Sequence, residues 1–302
     1  MAQNTLPIPR QQRVANNTVL IITGLVLIDS LHFVFARLLV PYLPPVSSAM
    51  FIMLIASAEV AVFAQFQGHL RLELFRNYTR FFLAIGFLVA ASTALNYAAV
   101  AFIDPGTASL LAKATVVFNL GFGVFWLRER LTRVQKGGAA MAMLGVIIIT
   151  FQPGDYLRLG SFMVLGSSFM YALHAALVKR YSEAMNLTEF FLFRLLSTGG
   201  FLLLFAAGSG QLAWPSLWVW PLLLLVGTVD VVISRTLYYV SLRKLKLSLL
   251  TIVMTLSPVV AVGWTLLLFS VVPTSQQLVG GLATLFGVAL VTMGVNRKAV
   301  RG

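Results

Sequence analysis

Leu31–Arg37 reads LHFVFAR and Leu173–Lys179 reads LHAALVK. Each is Leu-His, four residues, then a cation, and the two begin 142 positions apart in a chain of 302 residues. Shifting the chain by that offset aligns much more than the histidines. Gly24 falls on Gly166, Phe51 on Phe193, Tyr97 on Tyr239 and Gly121 on Gly263. Gln135, Gly138, Gly145, Val146 and Thr150 fall on Gln277, Gly280, Gly287, Val288 and Thr292. The chain therefore reads as two copies of one unit, 1–153 and 154–302.

Apolar residues make up 59% of the chain and charged residues 10%, where a soluble domain has roughly a quarter charged. So few charges cannot cover a water-soluble surface of this size, and the composition is that of a polytopic membrane protein whose solvent is the lipid bilayer. The net charge of +13 would suggest nucleic acid in a soluble protein. Here it is expected from cations gathered in loops on one side of a membrane, so no nucleic-acid partner is expected. Cysteine is absent, and His32, His69 and His174 are too scattered for a ligand motif, so neither a metal nor another cofactor is expected. Arg10 and Arg13 precede the apolar run from Val19 like a signal peptide, but the run continues to Val40 and is read as a retained first span.

About 20 apolar residues cross the hydrocarbon core. Cutting at charges, prolines and Gly/Ser clusters predicts ten spans, near 18–37, 46–66, 81–102, 106–127, 134–151, 160–178, 188–207, 217–239, 247–268 and 277–295. All but five of the 22 lysines and arginines then fall on the side of the N-terminus. The exceptions are Arg37 and Arg158 on the other side and Lys113, Arg194 and Arg235 inside spans. Both termini are expected in the cytoplasm, with the chain in the cytoplasmic (inner) membrane. Five spans per unit is an odd number, so the second unit enters the membrane upside down. The fold class expected is all-α: ten transmembrane helices as two inverted five-helix repeats, the arrangement of alternating-access transporters.

Ser109–Ile149, SLLAKATVVFNLGFGVFWLRERLTRVQKGGAAMAMLGVIII, resembles the fourth and fifth helices of the EamA-type drug/metabolite transporters. LGSFMVLGSSFMYALHAALVKRYS resembles their sixth helix, and SLLTIVMTLSPVVAVGWTLLLF, with its Ser257-Pro258 break, their ninth. The resemblance covers essentially the whole chain and implies a ten-helix exporter or exchanger of small metabolites. The halves differ from that pattern at Val116, opposite Pro258, at Val271, opposite Glu129, and at Ile52, opposite Arg194.

An ionisable group inside a span costs at least about 2.5–3.5 kcal/mol and marks a pathway by default. The candidates are Asp29, His32, Glu59, Lys113, His174, Arg194, Asp230 and Arg235. Helical spacing adds polar neighbours: Asp29 with His32, Asp230 with Ser234 and Tyr238, Ser92 with Asn96, and Tyr171 with His174. These faces are expected to converge on a substrate and coupling site. Three acids facing three bases suit a zwitterion such as an amino acid or a derivative. The alternative is an organic anion or phosphate ester held by Lys113, Arg194 and Arg235. Proton coupling is assigned to Asp29, Glu59 or Asp230, foremost Asp230, which has fewer cations near it in sequence. An intramembrane enzyme would need a nucleophile–base or metal constellation, which the chain does not offer. Gly138, Gly145, Gly280, Gly287 and Gly294 predict close helix packing, of spans 5 and 10 together or across a homodimer contact. Trp214, Trp218 and Trp220 read as interfacial anchors.

Overall fold

The computed structural model describes residues 21–66, 72–126, 132–152, 156–157, 159–181, 185–244, 254 and 256–299. The N-terminal arginines, His69, Glu129 and the boundary at 153/154 lie outside the described residues. In chain order the helices are α1 (Ile21–Leu39), α2 (Pro45–Phe66), α3 (Thr79–Ala99), α4 (Pro105–Leu111), α5 (Ala114–Phe125), α6 (Arg133–Thr150), α7 (Leu159–Tyr181), α8 (Leu187–Gly208), α9 (Leu217–Tyr238), α10 (Ser257–Phe269) and α11 (Ser275–Ala299). A short helix, Leu72–Asn77, precedes α3, and a two-residue antiparallel ladder (Phe151↔Leu157, Gln152↔Tyr156) joins α6 to α7.

Six of these helices, α1, α2, α3, α7, α8 and α9, are long and apolar enough to cross a membrane. They coincide with expected spans 1, 2, 3, 6, 7 and 8. The other four expected spans are not among these six; span 10 falls on the 25-residue α11. Span 4 is split at Ala112–Lys113, where Thr115 Oγ1 and Thr115 N both take the Ala112 carbonyl, at 2.7 and 3.1 Å, and tighten the turn. Span 5 is the 18-residue α6, which carries Arg133 and Lys136. The described part of span 9 is α10, whose first turn holds Pro258. Large leucines such as Leu204, Leu267 and Leu282 face outward, and in water such a surface would associate. Trp214, in the α8–α9 connection, and Trp218, in the first turn of α9, are mostly exposed.

Local chemistry sets the helix starts. Asp104 caps α4, accepting from Thr107 N at 2.9 Å and Thr107 Oγ1 at 2.6 Å, with Pro105 in the first turn, where no amide hydrogen is missed. Helices α6 and α11 open with the same capping box. Thr132 N donates to Gln135 Oε1 at 2.8 Å and Gln135 N to Thr132 Oγ1 at 3.2 Å. Thr274 and Gln277, one repeat further on, do the same at 2.7 and 3.2 Å.

Helices α6 and α11 pack against each other through glycine. A Cβ on Gly138 would stand 2.7 Å from the Gly287 carbonyl oxygen, and one on Gly280 would stand 2.7 Å from that of Gly145. Gly138 meets Gly287 while Gly145 meets Gly280, so the helices run antiparallel. Exchanging the repeats turns each contact into the other. A two-fold operation that swaps two antiparallel helices has its axis perpendicular to them. Helices α1 and α9 repeat the relation of α7 and α3: a Cβ added to Gly24 would meet Leu237, and one added to Gly166 would meet Leu95. Of the two readings of the glycine ladder, the seam within one chain is the one seen; the surroundings of Gly294 lie outside the described residues.

Candidate functional site

The ionisable side chains gather where helices depart from regular geometry. Helix α1 breaks at Ser30–Leu31: the Leu31 amide bonds Ile28 O instead of the carbonyl four residues back, and the second half starts at His32. Helix α9 is π-helical over Gly227–Ile233, and Asp230 sits in the middle of that segment. The split between α4 and α5 falls at Lys113, and α10 begins at Ser257. Irregular backbone at membrane depth is tolerated where it is enclosed in protein or lines a cavity, and π-segments occur often at functional sites.

The break in α1 separates two side chains that a continuous helix would put on one face. Asp29 turns to Arg235, 3.8 Å away, and accepts from Ser257 Oγ at 3.0 Å. His32 Nδ1 lies 2.8 Å from Asp230 Oδ2. Asp230 has fewer cations near it in sequence, but in space it is paired across α1 and α9 with His32, a partner that sequence spacing did not give. Asp230 is 2% exposed, and its Oδ1 has no hydrogen-bond partner among the described residues. The Tyr97 ring packs edge-on to His32 at 6.0 Å, and Lys113 lies in the field of Asp29 and Arg235. Ser30 holds the break, donating to Leu27 O at 2.6 Å and accepting from Trp264 Nε1 at 3.0 Å.

A second group sits between α7 and α8. Arg194 is 3% exposed; its guanidinium lies over the Phe191 ring at 5.3 Å and acts electrostatically on Tyr171. His174 packs on Tyr171 at 5.3 Å, and neither of its ring nitrogens has a partner. Both Tyr171 and His174 also feel the charge of Arg235, so the two groups are electrostatically continuous.

Other candidates fall elsewhere. Glu59 accepts from Thr228 Oγ1 at 2.7 Å across α2 and α9 and belongs to neither ion pair, so the described cluster holds two acids, not three. Asn96 is half-buried with Oδ1 unbonded, and its neighbour in the expected face, Ser92, is spent on Ser167 of α7 at 2.7 Å. Ser234 is fully buried with an unbonded hydroxyl, and Tyr238 is half-buried on the last turns of α9. Sequence reasoning missed Ser257 as the partner of Asp29, although its Ser-Pro step marked a break. It missed Tyr97 beside His32, although Tyr97 aligns with Tyr239. Nothing in the local sequence signals Trp264 on Ser30. Among the described residues no three His, Asp or Glu side chains are placed to hold a metal ion. A cavity of about 480 Å³ between Leu72–Asn77, α3 and α8 is lined by apolar side chains and Ser197, without any of the charged groups.

The chain matches the EamA-like transporter family twice, over residues 16–151 and 158–293. No curated protein matches it. A solved structure titled "Crystal structure of protein" is similar at 17% identity, over 92% of this chain and 98% of that one, with a TM-score of 0.66. That likeness is one of fold.

Proposed function

Because the chain belongs to the EamA-like transporter family, twice matched over most of its length, we propose that it is a secondary transporter carrying a small polar metabolite by alternating access. The observation that carries this reading is the Asp29–Arg235 and His32–Asp230 pairing at interrupted helices of an apolar bundle. Buried charge is costly there, and half-helix ends beside it offer free backbone donors and acceptors to a ligand. We further read ten spans in two inverted repeats, 1–153 and 154–302. The antiparallel glycine seam and the matching Gly24–Leu237 and Gly166–Leu95 contacts support that reading. The one-sided loop cations support cytoplasmic termini in an inner membrane.

For the substrate, amino acids or their derivatives fit a site with both signs of charge. The withdrawal of Glu59 also favours a second reading, an organic-anion or phosphate-ester exchanger. Two acids, Asp29 and Asp230, now face Lys113, Arg194 and Arg235 as well as two histidines, leaving cationic charge over. Both readings require an anionic group on the cargo. Asp230 with His32 is the proposed proton-coupling pair. Counterflow in proteoliposomes tests the function: labelled amino acid or organic anion is taken up only when unlabelled substrate is trapped inside. Leakage of every solute regardless of trans substrate would indicate a pore and end the transporter reading.

A further inference from the structure

We propose that Arg194, Tyr171 and His174 form the subsite that holds a carboxylate of the cargo, apart from the Asp29–Arg235 and His32–Asp230 pairs; the assignment rests on the transport reading above. Arg194 is buried to within 3% and belongs to neither described ion pair. Its guanidinium lies over the Phe191 ring and acts electrostatically on Tyr171, and its Nε has no acceptor among the described residues. An arginine does not neutralise by losing its proton, so in an apolar interior it keeps its charge and requires a counter-charge. Beside it stands His174, 5% exposed, with two unbonded nitrogens. Asp29 and Asp230 are engaged with Arg235 and His32, so neither supplies the missing acceptor.

The group therefore presents donors from three side chains and no acid. A planar guanidinium matches a carboxylate by two parallel hydrogen bonds, and a ring nitrogen and a phenol beside it can fill the remaining lone pairs. The charge of Arg235 also acts on Tyr171 and His174, offset at Tyr171 by Asp29. A cargo with a carboxylate here would direct the rest of its length toward Asp29 and Asp230. An amino group would find acids there, which gives the site an orientation for amino acids.

Thermal unfolding of the purified full chain in nanodiscs tests the assignment. Sodium acetate, lactate, succinate, glutamate and inorganic phosphate are compared with sodium chloride at equal ionic strength. At least one carboxylate should raise the midpoint of the parent protein by several degrees. Arg194→Met should raise the ligand-free midpoint, because it removes an uncompensated charge, and should abolish the carboxylate shift; Arg194→Lys should keep part of it. A lower ligand-free midpoint in Arg194→Met with an undiminished carboxylate shift would make Arg194 a packing residue and overturn the subsite. A shift with phosphate alone would overturn the carboxylate assignment. Counterflow separates this from the parent reading. Parent-level exchange in Arg194→Met refutes the subsite and leaves the transporter standing, whereas a carboxylate shift without exchange in the parent refutes the transporter.

Discussion

Replacing Gly138 with alanine puts a methyl group into the tightest seam of the molecule. The new Cβ would stand 2.7 Å from Gly287 O, 2.8 Å from Val291 N and 2.9 Å from Leu290 Cβ. Two of those three atoms are helix backbone and cannot rotate aside. Overpacking costs typically about 1–3 kcal/mol, and a rigid neighbour puts Gly138→Ala near 3. Alanine returns about 1 kcal/mol of helix propensity, so the net loss is about 2 kcal/mol, on the order of 5 °C in the unfolding midpoint. Gly137, one residue away, meets nothing within 4 Å, so Gly137→Ala should be neutral or stabilising by about 1 kcal/mol. Gly280→Ala, the repeat mate of Gly138, should cost the same as Gly138→Ala, because its methyl would meet Gly145 O and Ile149 in the same way. Differential scanning by tryptophan fluorescence in detergent reads all three. If Gly138→Ala is tolerated as well as Gly137→Ala, the close approach of α6 and α11 is wrong. If Gly138→Ala and Gly280→Ala differ by several degrees, the equivalence of the two repeats fails.

Asp230→Asn should abolish pH-driven accumulation in proteoliposomes while keeping exchange at equal pH, and His32→Asn should do the same because it removes the other half of the contact; undiminished accumulation in both would clear the pair of any coupling role. Asp29→Asn should impair exchange as well, since it loosens both Arg235 and Ser257, and parent-level exchange would refute that. Glu59→Gln should leave transport rates near those of the parent and cost about 1 kcal/mol of stability, the scale of one hydrogen bond to Thr228; loss of transport there would return Glu59 to the site. Reporter fusions after Gly210 and Pro273 should lie outside and those after Arg76, Lys136 and Arg301 inside, and a single reversal would break the ten-span arrangement.

The membrane-crossing helices were legible because apolar length is a property of composition. Their six interiors lie where charges, prolines and glycines bracketed them. The glycine ladder was legible too, since small residues at a seven-residue step in two places can be read off directly, though whether it closed within a chain or between chains could not. The interruptions were hidden. Ser30–Leu31 and Ala112–Lys113 contain neither proline nor glycine, and those breaks depend on partners distant in sequence, such as Trp264 on Ser30 and Ser168 on Ala112 O at 3.4 Å. The π-segment of α9 likewise has no local signature. Since each interruption rotates the side chains that follow it, the pairing of charges could not be derived by counting residues. Asp29 and His32, three apart, part company, and His32 finds Asp230, 198 positions away.

The α6–α11 seam also sets an order for biosynthesis. Gly138 leaves the ribosome long before Gly287, so the groove on α6 waits while α7 to α10 are made. During that interval its small-residue face is open to any helix of similar profile, including the same segment of a neighbouring nascent chain. Glycine complementarity alone does not tell those candidates apart. The capping boxes at Thr132 and Thr274 supply a second check, because they fix where each helix begins and so allow one register of glycine on glycine. Closure of the seam is then the step that commits the two halves to each other, and it comes near the end of translation of this stretch.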